Sequence, residues 1–244
     1  MVLDALAADS AVASRLRAVT TSAGDPGRLV PMIKDAGLVH QHKVGATRHA
    51  LKAQDHGVDV IIAAGFEMGG HTHSRPVHTM VLAPNVAAAV DVPVLVSGGL
   101  HDGRGLAAAL CFGAEGVAMG TRFIASDANT EWHPEYARAL LAAGEGDDTT
   151  YPGFFGPARG LRNNGSARLA ALVEAGEMSE ESLHAWKLDA MRRAQAHGDV
   201  VNGLVLTGQV AASLSEIVSV AEFVPGIVRD ALRVLARLVP EPAV

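Results

Sequence analysis

The chain has 244 residues, 49% of them hydrophobic, 19% charged and 4% aromatic, and a formal net charge of −6. That length suits one large domain, or a domain with an appendage, around a sizeable core. The acidic balance and the lack of any Lys/Arg cluster argue against a nucleic-acid partner or an anionic membrane surface.

The N-terminal MVLDALAADS lacks the basic stretch and long apolar run of a secretory signal. Apolar runs such as Val58 to Ala64 fall well short of the roughly 20 residues that span a bilayer, so cytoplasmic residence is expected. From residue 18 to 123 one kind of unit recurs. Apolar runs at Ala18 to Ser22, Leu38 to Val44, Val58 to Ala64, Pro93 to Ser97 and Gly116 to Met119 read as strands. Helical patterns at Arg28 to Ala36, Thr47 to His56, Asn85 to Val90 and Gly103 to Phe112 alternate with them, and Gly37, Gly57 and Gly113 stand at helix stops. This rhythm predicts βαβ units around a parallel sheet covered on both faces. It leaves open a doubly wound sheet or part of a (β/α)8 barrel. The single cysteine, Cys111, excludes an intrachain disulfide and is expected as an inert packing residue on a buried helix.

Beyond residue 123 the rhythm stops. Pro152 to Gly165 reads as a polar loop, residues 167 to 197 as helices, and Leu204 to Leu206 as a short extended piece. Leu214 to Leu238 reads as an amphipathic helix interrupted at Pro225-Gly226, with Ile217, Val220, Ala221, Val224, Val228, Leu232 and Leu235 expected to face the core. Three domains follow: a partial barrel over 1–123, a helical lid or substrate region over 124–205, and a C-terminal helix over 206–244 packing back on the barrel.

Three segments carry chemistry, each at the C-terminal end of an expected strand. In Ser97-Gly98-Gly99-Leu100-His101-Asp102-Gly103 the paired glycines let the backbone approach a ligand and free their N–H groups to point at it. The next strand ends in Ala118-Met119-Gly120-Thr121, again without bulk at the turn. Two glycine-ended strands one unit apart match the position of a barrel phosphate site. The third segment, Glu67-Met68-Gly69-Gly70-His71-Thr72-His73, places a histidine after two glycines on the same rim. With an ordinary pKa near about 6.5, His71 can take or give a proton at neutral pH. Glu67, His71 and His73 lack metalloprotease spacing, so no metal is expected. Lys43 ends the preceding strand and can reach the rim, where a cation would stabilise an electron-rich ligand. Arg159, Arg162, Asn163 and Asn164 could meet an anionic substrate or simply form a solvated loop.

Together these segments resemble the nitronate monooxygenase (2-nitropropane dioxygenase) family. The family's Glu-Ala-Gly-Gly-His element is matched by Glu67 to His71, its Gly-Gly strand end by Gly98 to Gly103, and its Met-Gly-Thr-Arg-Phe element by Met119 to Phe123. The likeness runs from about Thr20 to Phe123 and resumes weakly at Gly208-Gln209. The resemblance implies a TIM-type (β/α)8 barrel binding FMN without a covalent link. Gly69, Gly70, Gly98 and Gly99 would lie around the flavin, Ala118, Met119, Gly120 and Thr121 at its phosphate, and Lys43 facing its ring. His71 would be the base that removes a C–H proton beside a nitro group, or a proton donor in a reductive relative. The substrate would be a small molecule, a nitronate or an enoyl thioester, and a homo-oligomer is left open.

The sequence departs from the family twice. Ala64 stands where members usually have a flavin-contacting glutamine. Five strands are read where the family's barrel has eight, and at about 20 to 30 residues per unit the difference corresponds to roughly 60 to 90 residues upstream. A shortened gene model, a late start codon or a decayed copy is the expectation from that count. Rival readings are an FMN-type enoyl-thioester reductase, which looks alike around His71 and Gly120, and a catalytically inactive barrel fragment. The inosine-monophosphate dehydrogenase group needs a cysteine beyond the last strand, and Cys111 lies before it.

Overall fold

The computed structural model describes residues 2–238. Helices α1 (Val2–Ala8) and α2 (Ser10–Arg15) form an N-terminal pair that buries no residue. Then come β1 (Ala18–Ser22), α3 (Val30–Asp35), β2 (Val39–Val44), α4 (Thr47–Asp55) and β3 (Val60–Ala64). A two-residue strand β4 (Gly70–His71) and α5 (Thr79–Ala87) follow, then β5 (Val94–Ser97), α6 (Gly103–Cys111), β6 (Gly116–Val117) and the short α7 (Thr121–Ile124). The remainder holds α8 (Pro134–Leu141), β7 (Asp148–Pro152), β8 (Pro157–Leu161), α9 (Asn164–Ala175), α10 (Glu180–His197) and α11 (Val220–Ala236).

The five expected strands pair in parallel in the order β1-β2-β3-β5-β6, which is also their order in the chain. A doubly wound sheet reverses direction at a switch point, and this sheet never does. One apolar core joins Val44, Ile61, Ala63, Val94 and Val96 of the sheet to Val30, Ala50, Ala53, Leu82, Val86 and Ala109 of α3 to α6. All four helices therefore cover one face, as in a TIM-type barrel wall. The other face carries Gln41, Lys43, Ile62, Leu95 and Ser97, and it lines cavities rather than helices. Of the two arrangements the rhythm left open, the structure has the (β/α) barrel wall.

β2 carries the sequence Val-His-Gln-His-Lys-Val, and its alternation puts two histidines into the helix-side core. His40 and His42 are 0% and 3% exposed, and one hydroxyl, Thr21 Oγ1, lies 2.7 Å from both His40 Nε2 and His42 Nδ1. Burial pushes both imidazoles below their usual pKa, and for His42 the neighbouring His40 adds to the effect.

Four local readings differ from the structure. Helix α5 starts at Thr79, six residues before the expected Asn85, and carries Pro84 inside it; the Glu67 carboxylate caps it by accepting from Thr79 N at 3.0 Å. The polar stretch 152–165 is not a loop: β7 and β8 form an antiparallel hairpin, and β8 pairs on its other side with β4. Region 124–205 is therefore mixed rather than all-helical. Helix α11 runs unbroken through Pro225 and turns Ile227 and Ala231 to the core, packing on α6 where the Gly103 position approaches Asp230 and Ala231. The stripe expected to face the core is largely outward, with Ile217, Val224, Val228 and Leu232 exposed; two apolar stripes wind round this helix, and periodicity alone picked the outer one. Cys111, at the end of α6, is exposed rather than buried. Residues 239–244 of the expected C-terminal segment lie outside the described residues. No described helix is long and apolar enough to cross a membrane.

The buried histidine pair sets a pH dependence. Both folded-state pKa values lie below the 6.5 of an exposed imidazole, so protons bind the unfolded chain more readily. Stability from these groups is present above about pH 6.5 and lost as pH falls through the folded values, at no more than about 1.4 kcal/mol per pH unit for each histidine. Urea unfolding between pH 7 and pH 5 will show this decline, and His40→Gln will flatten it.

Candidate active site

At the C-terminal ends of the strands, the outward alternation of each strand opens a cavity of about 450 Å³. Its floor is Thr20, Gln41, Ile62 and Leu95. Its walls are the residues singled out from sequence: Lys43, Gly69, Gly70, Gly98, Gly99, Ala118, Met119, Gly120 and Thr121 all line it. A second cavity of about 740 Å³ lies alongside, with Ser22, Asp25, His42, His49, His71 and His73 in its lining. Lys43 and Met68 line both, so the two spaces meet at these side chains.

The glycines have distinct reasons. Gly98 has φ +98°, and a Cβ there would lie 2.9 Å from Gly65 O. A Cβ on Gly69 would lie 2.5 Å from Gly208 N, because the 207–208 backbone is seated against it. Thr121 Oγ1 accepts from Gly208 N at 2.9 Å, and Gln209 N donates to Glu67 O at 3.0 Å. The weak sequence likeness at Gly208-Gln209 thus belongs to the wall of this site. At Gly120 a Cβ would meet nothing within 4 Å. Its open space lies on the cavity.

Lys43 has no hydrogen-bond or ion-pair partner among the described residues, and burial lowers its pKa. An ammonium held in a cavity without a counter-charge favours a negatively charged ligand beside it. His71 is half-buried on β4. The Phe154 N–H donates to its Nε2 at 2.9 Å, so the neutral ring carries its proton on Nδ1. Burial, and then the ammonium groups of Lys43 and Lys187, hold its pKa below the usual histidine value, leaving it neutral at pH 7.

Other candidates have structural employment. Glu67 caps α5 and lies 3.3 Å from His78 Nδ1. His73 Nδ1 accepts from Arg75 N at 3.0 Å. Arg159 is buried against the Asp148 carboxylate and lies over the Phe66 ring at 4.6 Å. Asn163 caps α9 and donates to Val200 O and Gly203 O, while Arg162 and Asn164 bond to Asp148 O and Asn202 Oδ1. These four polar residues therefore hold the β7–β8 hairpin and the α9 region together, and none of them lines either cavity.

Sequence reasoning missed the tip of the β7–β8 hairpin. Phe154 and Phe155 place their rings 5.6 and 5.7 Å from the His71 ring, and Lys187 of α10 holds Gly153 O at 2.7 Å. The available signal was an aromatic pair flanked by Gly153 and Gly156 in a chain otherwise poor in aromatics.

A sequence model of the nitronate monooxygenase family matches residues 6–230. The chain belongs to the nitronate monooxygenase family. It is thereby one of a group of oxidoreductases acting on small molecules. It is similar to the (3aS,4S,5R,7aS)-5-hydroxy-7a-methyl-1-oxo-octahydro-1H-indene-4-carboxyl-CoA dehydrogenase of Rhodococcus jostii, 32% identical over 92% of this chain and 73% of that protein. A nitronate monooxygenase of Neurospora crassa is 36% identical over 48% of this chain and 32% of its own length. Among solved structures, FabK from Thermotoga maritima superposes with a TM-score of 0.84 at 31% identity, covering 93% of this chain and 71% of that one.

Two adjacent glycines will respond differently to a methyl group. Gly69→Ala presses on the 207–208 backbone and should cost about 1–3 kcal/mol, with loss of hydrogen-exchange protection at Gly208 N. Gly70→Ala has open space but φ +71°, and should cost about 1–2 kcal/mol while leaving Gly208 protected. Thermal unfolding and amide exchange of the two variants read both effects.

Proposed function

We propose that this protein is an FMN-dependent oxidoreductase whose substrate reacts at a carbon activated by a nitro or thioester group, with His71 as the proton-transfer residue. The observation that carries this reading is the junction of the two cavities at Lys43 and Met68, with the glycine walls on one side and His71 on the other. The smaller cavity suits the cofactor. Its volume of about 450 Å³ falls within the roughly 300–1,000 Å³ usual for ligand sites. The uncompensated Lys43 ammonium and the open space at Gly70 and Gly120 are what a flat, electron-rich, phosphorylated group requires.

Lys43, Gly69, Gly70, Gly98 and Gly99 would hold the ring system, and Ala118, Met119, Gly120 and Thr121 the phosphate end. Bound FMN supplies the two-electron redox chemistry that no side chain here can supply. The chain's own share is positioning and charge. Lys43 offers a fixed positive charge where electron density gathers. His71 faces the larger cavity as a neutral ring with a proton on Nδ1, able to donate to an oxygen of a bound substrate. A nitronate has already lost its C–H proton and presents such an oxygen. On the family's precedent, nitronate oxidation with oxygen is therefore the first reading.

A second reading has its own support. Two relatives matched along most of the chain, into its C-terminal region, are carboxyl-CoA dehydrogenases, at 92% and 84% of its length. The Neurospora nitronate monooxygenase matches 48%. A thioester carbonyl also accepts a hydrogen bond, so the same His71 donor serves it.

The purified protein is expected to be yellow and to release FMN on denaturation. Oxygen uptake with a nitronate, set against electron transfer with a CoA thioester, decides between the substrates. His71→Asn should lower kcat by about 10²- to 10⁴-fold with FMN content unchanged, whereas Lys43→Met should weaken FMN retention. A colourless protein that takes up no added FMN would overturn the reading, as would full turnover by His71→Asn.

A further inference from the structure

Lys187 lies on α10, far in sequence from the rim, yet it is 7% exposed and its ammonium is turned to the tip of the β7–β8 hairpin. Burying a lysine is costly unless its charge is used. Its Nζ donates to Gly153 O at 2.7 Å and lies 5.6 Å from the centre of the Phe154 ring. The other end of the same peptide unit is the Phe154 N–H, which donates to His71 Nε2 at 2.9 Å. One planar amide is therefore gripped at its oxygen by a cation and at its nitrogen by the candidate proton-transfer residue. Planarity makes the two grips interdependent, since fixing the carbonyl direction fixes the N–H direction. A cation on the oxygen also polarises the amide and strengthens its N–H as a donor.

The surroundings support that orientation. Gly153 N closes the tip by donating to Gly156 O at 2.7 Å, and a Cβ on Gly153 would lie 2.6 Å from Gly156 O and 2.9 Å from His71 Cδ2. The Phe154 ring is seated between His71 and His184, 5.6 and 4.4 Å from their centres. At the base of the hairpin, His71 pairs with Ala158 and Thr72 N donates to Pro157 O at 2.8 Å. His71 Nδ1 has no partner among the described residues.

We infer that Lys187 is a positioning residue for His71: by holding the Gly153 carbonyl it aims the Phe154 N–H at Nε2 and keeps the ring in its Nδ1–H form. His71 then offers a hydrogen-bond donor to the larger cavity, and its acceptor nitrogen is occupied. The consequence is a specificity. A substrate presenting an oxygen acceptor, such as a nitronate or a thioester, is served directly. A neutral nitroalkane, which must first lose a C–H proton to a base, is served only if the Gly153–Phe154 amide swings away. This inference rests on the proposed role of His71, but its main test does not need turnover.

The test is nitrogen-detected NMR of the imidazoles in the full chain and in Lys187→Met, Lys187→Gln and Lys187→Arg. The wild type should show His71 as a single Nδ1–H tautomer above its titration. Lys187→Met should show a mixture of tautomers and a His71 midpoint moved upward, because a neighbouring positive charge is gone. Lys187→Arg should restore both wild-type features, and Lys187→Gln, which keeps a donor without the charge, should retain the tautomer while the midpoint moves. The His40 signal, from a buried residue that lines neither cavity, reports that each variant is folded. If Lys187→Met does not fold, the tautomer and midpoint in Lys187→Gln carry the decision. An unchanged tautomer and midpoint in a folded Lys187→Met, or an unmoved midpoint in Lys187→Gln, would overturn the inference. A protein that binds no FMN but shows these tautomer changes would instead sink the functional reading alone.

Discussion

The short antiparallel pairing of Gly70 with Arg159 and His71 with Ala158 is the contact on which the rest of the site depends. Without it the parallel sheet would present a glycine-rich rim open to solvent, and the histidine would be one more loop side chain. With it, the rim and the hairpin share a backbone ladder, and the hairpin carries its aromatic tip over the imidazole. Arg159 reinforces the joint from within, since its guanidinium pairs with Asp148 of the adjacent strand, bonds to Phe66 O and lies over the Phe66 ring. Each of those partners belongs to a different side of the joint.

Charge is distributed in keeping with this architecture. Lys43 and Lys187 approach His71 from the sheet and from α10, and both discourage a proton from settling on it. The ring is held as a neutral hydrogen-bonding group near neutral pH. The larger cavity adds further imidazoles, His49 and His73, whose rings are 5.0 Å apart. His49 is also kept below its usual pKa by burial and by Arg48, His73 and Lys52. With His42, His49 and His71 all held below the usual histidine pKa, the site changes its net charge little between pH 7 and 8.

The scaffold was legible where chemistry is local. Apolar runs between glycines located all five parallel strands to within one or two residues, and glycines at strand ends located the walls of the smaller cavity. Local signals failed where a distant partner decides. Strands β7 and β8, with sequences Asp-Thr-Thr-Tyr-Pro and Pro-Ala-Arg-Gly-Leu, look like a loop because their proline, glycine and charge match no strand pattern. They extend because β4 supplies an edge and Arg159 has the Asp148 carboxylate to meet. Lys187 on α10 reads as an ordinary charged helical residue until the hairpin is folded over it. Helix α5 was read only from Asn85, because its start at Thr79 is capped by Glu67, a residue twelve positions upstream.

The separation between His71 and Phe154 has a temporal consequence. The parallel strands join neighbours a single helix apart, so their loops close at modest entropic cost. The hydrogen bond at Nε2 joins groups 83 positions apart, and a native contact of that span closes only after the intervening chain has been ordered. The parallel strands at the rim therefore take shape ahead of the longer closures, among them the Phe154 contact at the imidazole and the Gly208 contact at Thr121, 87 positions away. A chain caught between those steps would hold the glycine-ended rim beside a histidine whose ring is still free to turn.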